Sequence, residues 1–188
     1  MPAVVLGIDV GYCNTGLLTF TFEDGKWVAS RGKVISTSSE KKKRNLYAAD
    51  DTIRRIGELV RGVRSEFEEV RPAAIAVELP HGGGQSASAI KSMGIATAIV
   101  ACIVEFTNTP AAYVTPTMVK VALTGKKAAS KEECIAGFAK VYPDIASCFT
   151  SKRSKSGYDG KFEHIADAGG AFLAAKDSQI IKLMERMA

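Results

Sequence analysis

Close cysteine pairs, a secretory leader, a bilayer-length apolar run and internal repeats are all missing from this chain of 188 residues. Cys13, Cys102, Cys134 and Cys148 stand far apart, whereas a thiolate zinc centre needs closely spaced ligand pairs. Two of them lie in apolar surroundings, which suits buried free thiols in a reducing compartment. The opening MPAVVLGIDV has neither the basic stretch nor the long apolar core of a signal peptide. The longest helix-like apolar run, residues 95–106, is interrupted by Glu105 and falls short of the roughly 20 residues that a span requires. A soluble cytoplasmic protein with no membrane partner is expected.

What is present is an ordinary globular balance, with 46% hydrophobic and 24% charged residues. That amount of chain supports one domain, residues 1–188, with a substantial core. A net charge of +5 and a pI near 9.0 favour a polyanionic partner.

Apolar, β-branched residues 4–9 read as a buried strand ended by Gly11. Strands at 15–22 and 27–36 follow, split by the hairpin sequence Glu23-Asp24-Gly25-Lys26. A basic stretch, Lys41-Lys42-Lys43-Arg44, precedes a long amphipathic helix. Its expected apolar stripe is Leu46, Ala49, Ile53, Ile56, Val60, Val63 and Phe67, with Arg54, Arg55, Glu58, Arg61 and Arg64 on the other faces. A short strand at 73–78, a helix at about 86–106 and a strand at 111–114 come next. Thr115-Pro116 caps and opens a helical turn. Ser130 and Glu133 form a capping box for another helix. A polar stretch at 150–161 leads to a last helix from about Phe162. This order is a mixed α/β pattern.

Four residues carry the functional reading. Asp9 and Glu78 each close a strand, where α/β sheets collect functional groups. His164 and Asp167 are three apart and share one helical face. The small residues Ala168, Gly169, Gly170 and Ala171 suit close packing of that helix against the sheet, which would leave Asp167 in need of a partner. Taken singly, Asp9 is equally well a turn former, and Glu78 is more often a surface residue. Together, the four suit hard divalent cations such as magnesium or manganese. Two such metals stabilise both the attacking and the leaving oxygen of a phosphodiester. Asp9 is expected to bridge them, Glu78 and Asp167 to hold one each, and His164 to ligate or orient water.

The chain resembles RuvC-type Holliday junction resolvases of the RNase H-like superfamily. Gly7-Ile8-Asp9, Gly11, Thr15 and Gly16 match the opening G-I-D-x-G-x-x-x-T-G. Ala76-Val77-Glu78 matches the second signature, and Ser88-Ala89-Ile90-Lys91 with Gly94 follows it. His164, Asp167 and Ala168 match the final H/D-x-x-D-A. Lys120, Gly125 and Lys131 have the spacing of the family's lysine pair. The resemblance implies an RNase H-like fold with a mixed five-stranded sheet, three strands antiparallel and two parallel, flanked by helices. It also implies a homodimer, in a bacterial or phage-infected cell, that nicks branched DNA symmetrically with two magnesium or manganese ions per site. Lys120 and Lys131 are then expected to assist catalysis beside the scissile phosphate.

His81 stands where the family has a stacking aromatic, followed here by three glycines and one extra residue. With Lys91, Lys126, Lys127, Lys152, Arg153 and Lys155 it makes up the expected DNA-contacting set. A general debranching nuclease, a YqgF-type RNA nuclease and a non-cutting junction binder are the alternatives. The D-x-G strand end also opens the phosphate segment of actin-like ATPases, but those need a second domain and a second phosphate motif.

Overall fold

A computed structural model describes residues 2–40, 47–80, 86–152, 154 and 157–188. Strands β1 (Val4–Asp9), β2 (Asn14–Glu23) and β3 (Lys26–Ser36) form an antiparallel meander. Asp24 and Gly25, at φ 49° and 76°, make the two-residue turn between β2 and β3. Such a turn needs positive φ at both central positions, and this sequence supplies it.

The chain then runs through α1 (Ala48–Val70), β4 (Ala74–Glu78), α2 (Ala87–Thr107) and β5 (Ala111–Val114). β4 and β5 add in parallel, giving one five-stranded sheet in the order β3-β2-β1-β4-β5. Helices α3 (Pro116–Thr124), α4 (Lys131–Val141), α5 (Pro143–Ser147), α6 (Phe162–Ala175) and α7 (Gln179–Met187) complete the described structure. Thr115 caps α3 by accepting from the Met118 amide, and Ser130 with Glu133 forms the capping box of α4, both as the sequence implied.

Alternation along the strands sends side chains to two separate cores. Val5, Leu18, Phe20 and Ala76 face α6 and its neighbours, meeting Phe138, Phe162, Ile165 and Phe172. Leu6, Ile8, Leu17 and Val77 face α1 and α2, meeting Leu59, Val63, Ile99 and Val100. Helix α6 lies backbone to backbone on the sheet. A first side-chain carbon at Gly7 would collide with the Ala168 carbonyl oxygen, and one at Gly16 with that of His164. On the far side of α6, Gly169 makes room for Phe138 and Gly170 for Val119 and Leu123.

Several expectations need correction. The buried face of α1 is Asp51, Arg55, Leu59, Val63, Glu66 and Phe67, while Ala49 and Ile53 are exposed. Arg55 therefore points inward, because its guanidinium stacks over the Tyr12 ring and donates to Thr37 Oγ1. Paired polar groups turned this helix away from its purely apolar stripe. Leu46 and the basic stretch 41–44 lie outside the described residues.

All four cysteines are free, but only Cys134 is buried; Cys102 sits on the solvent side of α2. That helix has 21 residues and is, among the described residues, the one helix long and apolar enough to cross a membrane by length and composition. It was too long to be judged from residues 95–106 alone. It packs on the sheet through Ala96, Ile99, Val100 and Ile103. The expected last helix is two, because Ser178 starts α7 by accepting from the Ile181 amide. The short α5, opened by Pro143, has no counterpart in the sequence reading.

Candidate active site at the carboxyl edge of the sheet

β1 and β4 are parallel neighbours, and their final residues Asp9 and Glu78 are direct register partners. Both acids thus leave the same edge of the sheet. α6 crosses this edge with His164 and Asp167 on one face, held down by the glycine contacts at Gly7 and Gly16. His164 Nδ1 lies 2.8 Å from Asp9 Oδ2. Glu78 and Asp167 line one cavity of about 150 Å3, shared with Lys120, Lys131, Cys134 and Glu163. The fold therefore gathers all four proposed residues and both lysines at one place.

The electrostatics are those of a crowded acidic site. Burial, then the charges of Asp167 and Asp9, push Glu78 up to about 9, against a smaller opposing pull from Lys120. Its Oε2 is sealed from solvent without a hydrogen-bond partner. Burial and the neighbouring Asp9 likewise push Asp167 up to about 7. The hydrogen bond to Asp9 raises His164 above its ordinary value. Burial raises the Cys134 thiol too. Carboxylates this close and this desolvated do not share ionisation readily unless a cation joins them.

Unpartnered carboxylate oxygen, clustered acids and an imidazole are a donor set that fits a divalent metal. Among the described residues, no three ligating side chains close on a common point at coordination distance. Asp9 and His164 are instead bonded to each other.

The lysines differ in setting. Lys120 is half-buried in the cavity wall, while Lys131 is exposed and paired with Glu163 at 2.6 Å, which raises it. Glu163 and Cys134 were not anticipated. Glu163 directly precedes His164, and its place in the first turn of α6 was the available signal. In the expected DNA-contacting set, Lys91 Nζ donates to Thr52 Oγ1 at 3.1 Å. Lys126 is paired with Glu133 at 2.6 Å, and Lys127 and Lys152 are exposed. His81, Arg153 and Lys155 lie outside the described residues.

No family model matches the chain, and no curated protein matches it. Solved structures do. T. thermophilus RuvC in complex with Holliday junction substrate is 24% identical, with a TM-score of 0.65 over 92% of both chains. A second Thermus thermophilus RuvC structure is 25% identical, with a TM-score of 0.61 over 91% of this chain and 92% of that one. The fowlpox virus Holliday junction resolvase is 14% identical, with a TM-score of 0.50 over 93% and 98%. The mixed sheet, its strand order and the helices laid across it are accordingly the RuvC-type resolvase fold, of RNase H-like α/β class.

Proposed function

We propose that this chain is a structure-selective DNA endonuclease that resolves four-way junctions by paired nicks. The observation that carries this reading is the sheet-edge cluster of Asp9, Glu78, His164 and Asp167, with Glu78 Oε2 buried and unpartnered. The likeness to junction-bound resolvase structures supports branched DNA as the substrate.

Magnesium or manganese, two per site and held by those four residues, would stabilise the attacking and leaving oxygens of the phosphodiester. The protein's own groups do the rest. Glu78 and Asp167 are pre-placed by β4 and α6. Asp9 fixes the His164 ring through Nδ1, leaving Nε2 as the nitrogen that would ligate a metal or orient the attacking water. Lys120 and Lys131 flank the cavity and face the phosphate charge that grows at the scissile bond. To serve a phosphate, Lys131 must leave Glu163.

Two sites are needed for paired nicks, which calls for a homodimer. The solvent side of α2, with Ile90, Ala98, Ala101, Cys102 and Phe106, offers an apolar face for the second copy. The exposed lysines Lys91, Lys126, Lys127 and Lys152, and outside the described residues His81, Arg153 and Lys155, would hold the DNA arms.

End-labelled four-way junction, incubated with magnesium, manganese or EDTA and read on a denaturing gel, tests the proposal. Paired symmetric nicks that need metal and vanish in Asp9→Asn are expected. Asymmetric cuts in every branched substrate would make it a general debranching nuclease, and preferential cutting of structured RNA an RNA nuclease. Tight junction binding without any cut would leave only a junction-binding role.

A further inference from the structure

A second polar cavity, of about 180 Å3, lies between the first turns of α1 and α2 and the loop after β1. Tyr12, Thr52, Arg55, Ser88, Lys91 and Ser92 wall it, and it shares no lining residue with the cavity that holds Glu78 and Asp167. Its floor is a buried cation. Arg55 is only 8% exposed. Its Nε donates to Thr37 Oγ1 at 3.1 Å, and one terminal nitrogen reaches the Tyr12 carbonyl at 3.3 Å and Cys13 Sγ at 3.1 Å. The guanidinium carbon sits 3.8 Å above the centre of the Tyr12 ring.

None of these partners carries a formal negative charge, and among the described residues no carboxylate pairs with Arg55. A cation held this deep without a counter-charge is costly unless an anion completes it. Asp51 is on the wall, but Arg54 at 2.7 Å and the Glu40 amide at 3.1 Å already engage its carboxylate. Lys91, reaching from α2 to Thr52 on α1, brings a second cation to the mouth. The hydroxyls of Ser88 and Ser92 add donors, and the opening turn of α2, which carries no acid, adds positive potential. Arginine, lysine, hydroxyls and helix starts are the groups that bind backbone phosphate. The volume limits the ligand further. It lies below the roughly 300 Å3 at which small-molecule pockets begin, so a phosphate group fits and a whole nucleotide does not.

We propose that this cavity is a second phosphate seat, in which Arg55, Lys91, Ser88 and Ser92 receive one backbone phosphate of the bound DNA away from the scissile bond. The assignment rests on the nuclease reading and gives it a further fixed point. With one phosphate gripped here and another at the carboxylate cluster, the path of the strand across the protein is set by its backbone, independent of sequence.

The test is a methylphosphonate scan of a four-way junction, neutralising one phosphate at a time, read as Kd in an Asp9→Asn background that bars cleavage. Two variants are scanned beside the parent: Lys91→Gln, which removes the outer cation, and Ser88→Asp, which puts a negative charge at the mouth. Both leave the Arg55 network intact, and thermal melts check folding. One phosphate, or an adjacent pair, outside the scissile step is expected to matter in the parent and to become silent in both variants. The slope of log Kd against log salt should also fall by about one in Lys91→Gln.

Identical scan profiles in all three proteins overturn the seat and leave the nuclease reading standing. A parent that binds neither junction nor duplex overturns both. Inorganic phosphate that raises the melting temperature of the parent but not of Ser88→Asp, with unchanged scan profiles, assigns the cavity to free phosphate and overturns the DNA assignment.

Discussion

Glu66 and Glu78 are both glutamates turned in among the packed elements of this fold, and they sit in opposite company. Glu66, 1% exposed on α1, accepts from Lys33 at 2.9 Å and pairs with Arg31 at 3.3 Å across to β3. Glu78, ending β4, has one oxygen with no partner and two acids as its charged neighbours, opposed by Lys120. The first is answered within the fold and staples a helix to a strand. The second has no such answer among the described residues. Where burial is tolerated without compensation, the cost is kept because a ligand removes it.

The sharpest way to break that contrast is to neutralise the unanswered side. Asp9→Asn or Glu78→Gln should lower junction cleavage by about 10³-fold or more, several kcal/mol of lost charge stabilisation. In EDTA Glu78→Gln should melt higher than the parent, and magnesium should no longer raise its melting temperature. A parent and variant with the same magnesium response would remove Glu78 from the ligand set.

Disturbing the close approach comes next. Gly16→Ala drives a methyl into the His164 carbonyl oxygen, for about 3 kcal/mol of destabilisation. Cleavage by the molecules that remain folded should fall as well, because His164 is displaced from Asp9. Urea unfolding and single-turnover rates separate the two effects.

Glu66→Gln should cost about 1–2 kcal/mol, since Arg31 and Lys33 are partly solvated and lose less than fully buried partners would. Its cleavage rate per folded molecule should match the parent, the reverse of Glu78→Gln. Loss of cleavage without loss of stability would erase the distinction between the two glutamates.

The remaining effect is in pH and is spread over several units. Glu78 rises from 4.5 to about 9 and Asp167 from 3.8 to about 7, so the folded state keeps protons that the unfolded chain has released. Metal-free stability therefore falls as pH rises through those windows, by at most about 1.4 kcal/mol per unit for each group. Well below pH 3.8 both groups are protonated in either state and the penalty disappears. The difference in melting temperature between parent and Glu78→Gln in EDTA should widen from pH 5 to pH 8, and saturating magnesium should close it.

Much of this was readable from the chain. Strand limits at Val4–Asp9 and Ala111–Val114 follow from apolar runs stopped by glycine or proline chemistry, and the caps at Thr115 and Ser130 follow from side chains that serve local amides. Asp9, Glu78, His164 and Asp167 were visible because strand ends and helical spacing are local facts. The inward turn of Arg55 and Asp51 was not, since it depends on Tyr12, Thr37 and Glu40, far along the chain. The pairing of Asp9 with His164, and of Lys131 with Glu163, is likewise a product of how the elements dock.

The hydrogen bond between His164 and Asp9 joins residues 155 positions apart. A ribosome completes all five strands, with Asp9 and Glu78 already in register, some fifty residues before it makes α6. During that interval the growing chain holds only Asp9 and Glu78 of the proposed cutting centre, and forming contacts of such long sequence separation slows folding. Arrival of the last helices is thus the step that would complete the proposed site. A chain that stops before His164 would lack two of the four proposed residues and the helix that covers one face of the sheet.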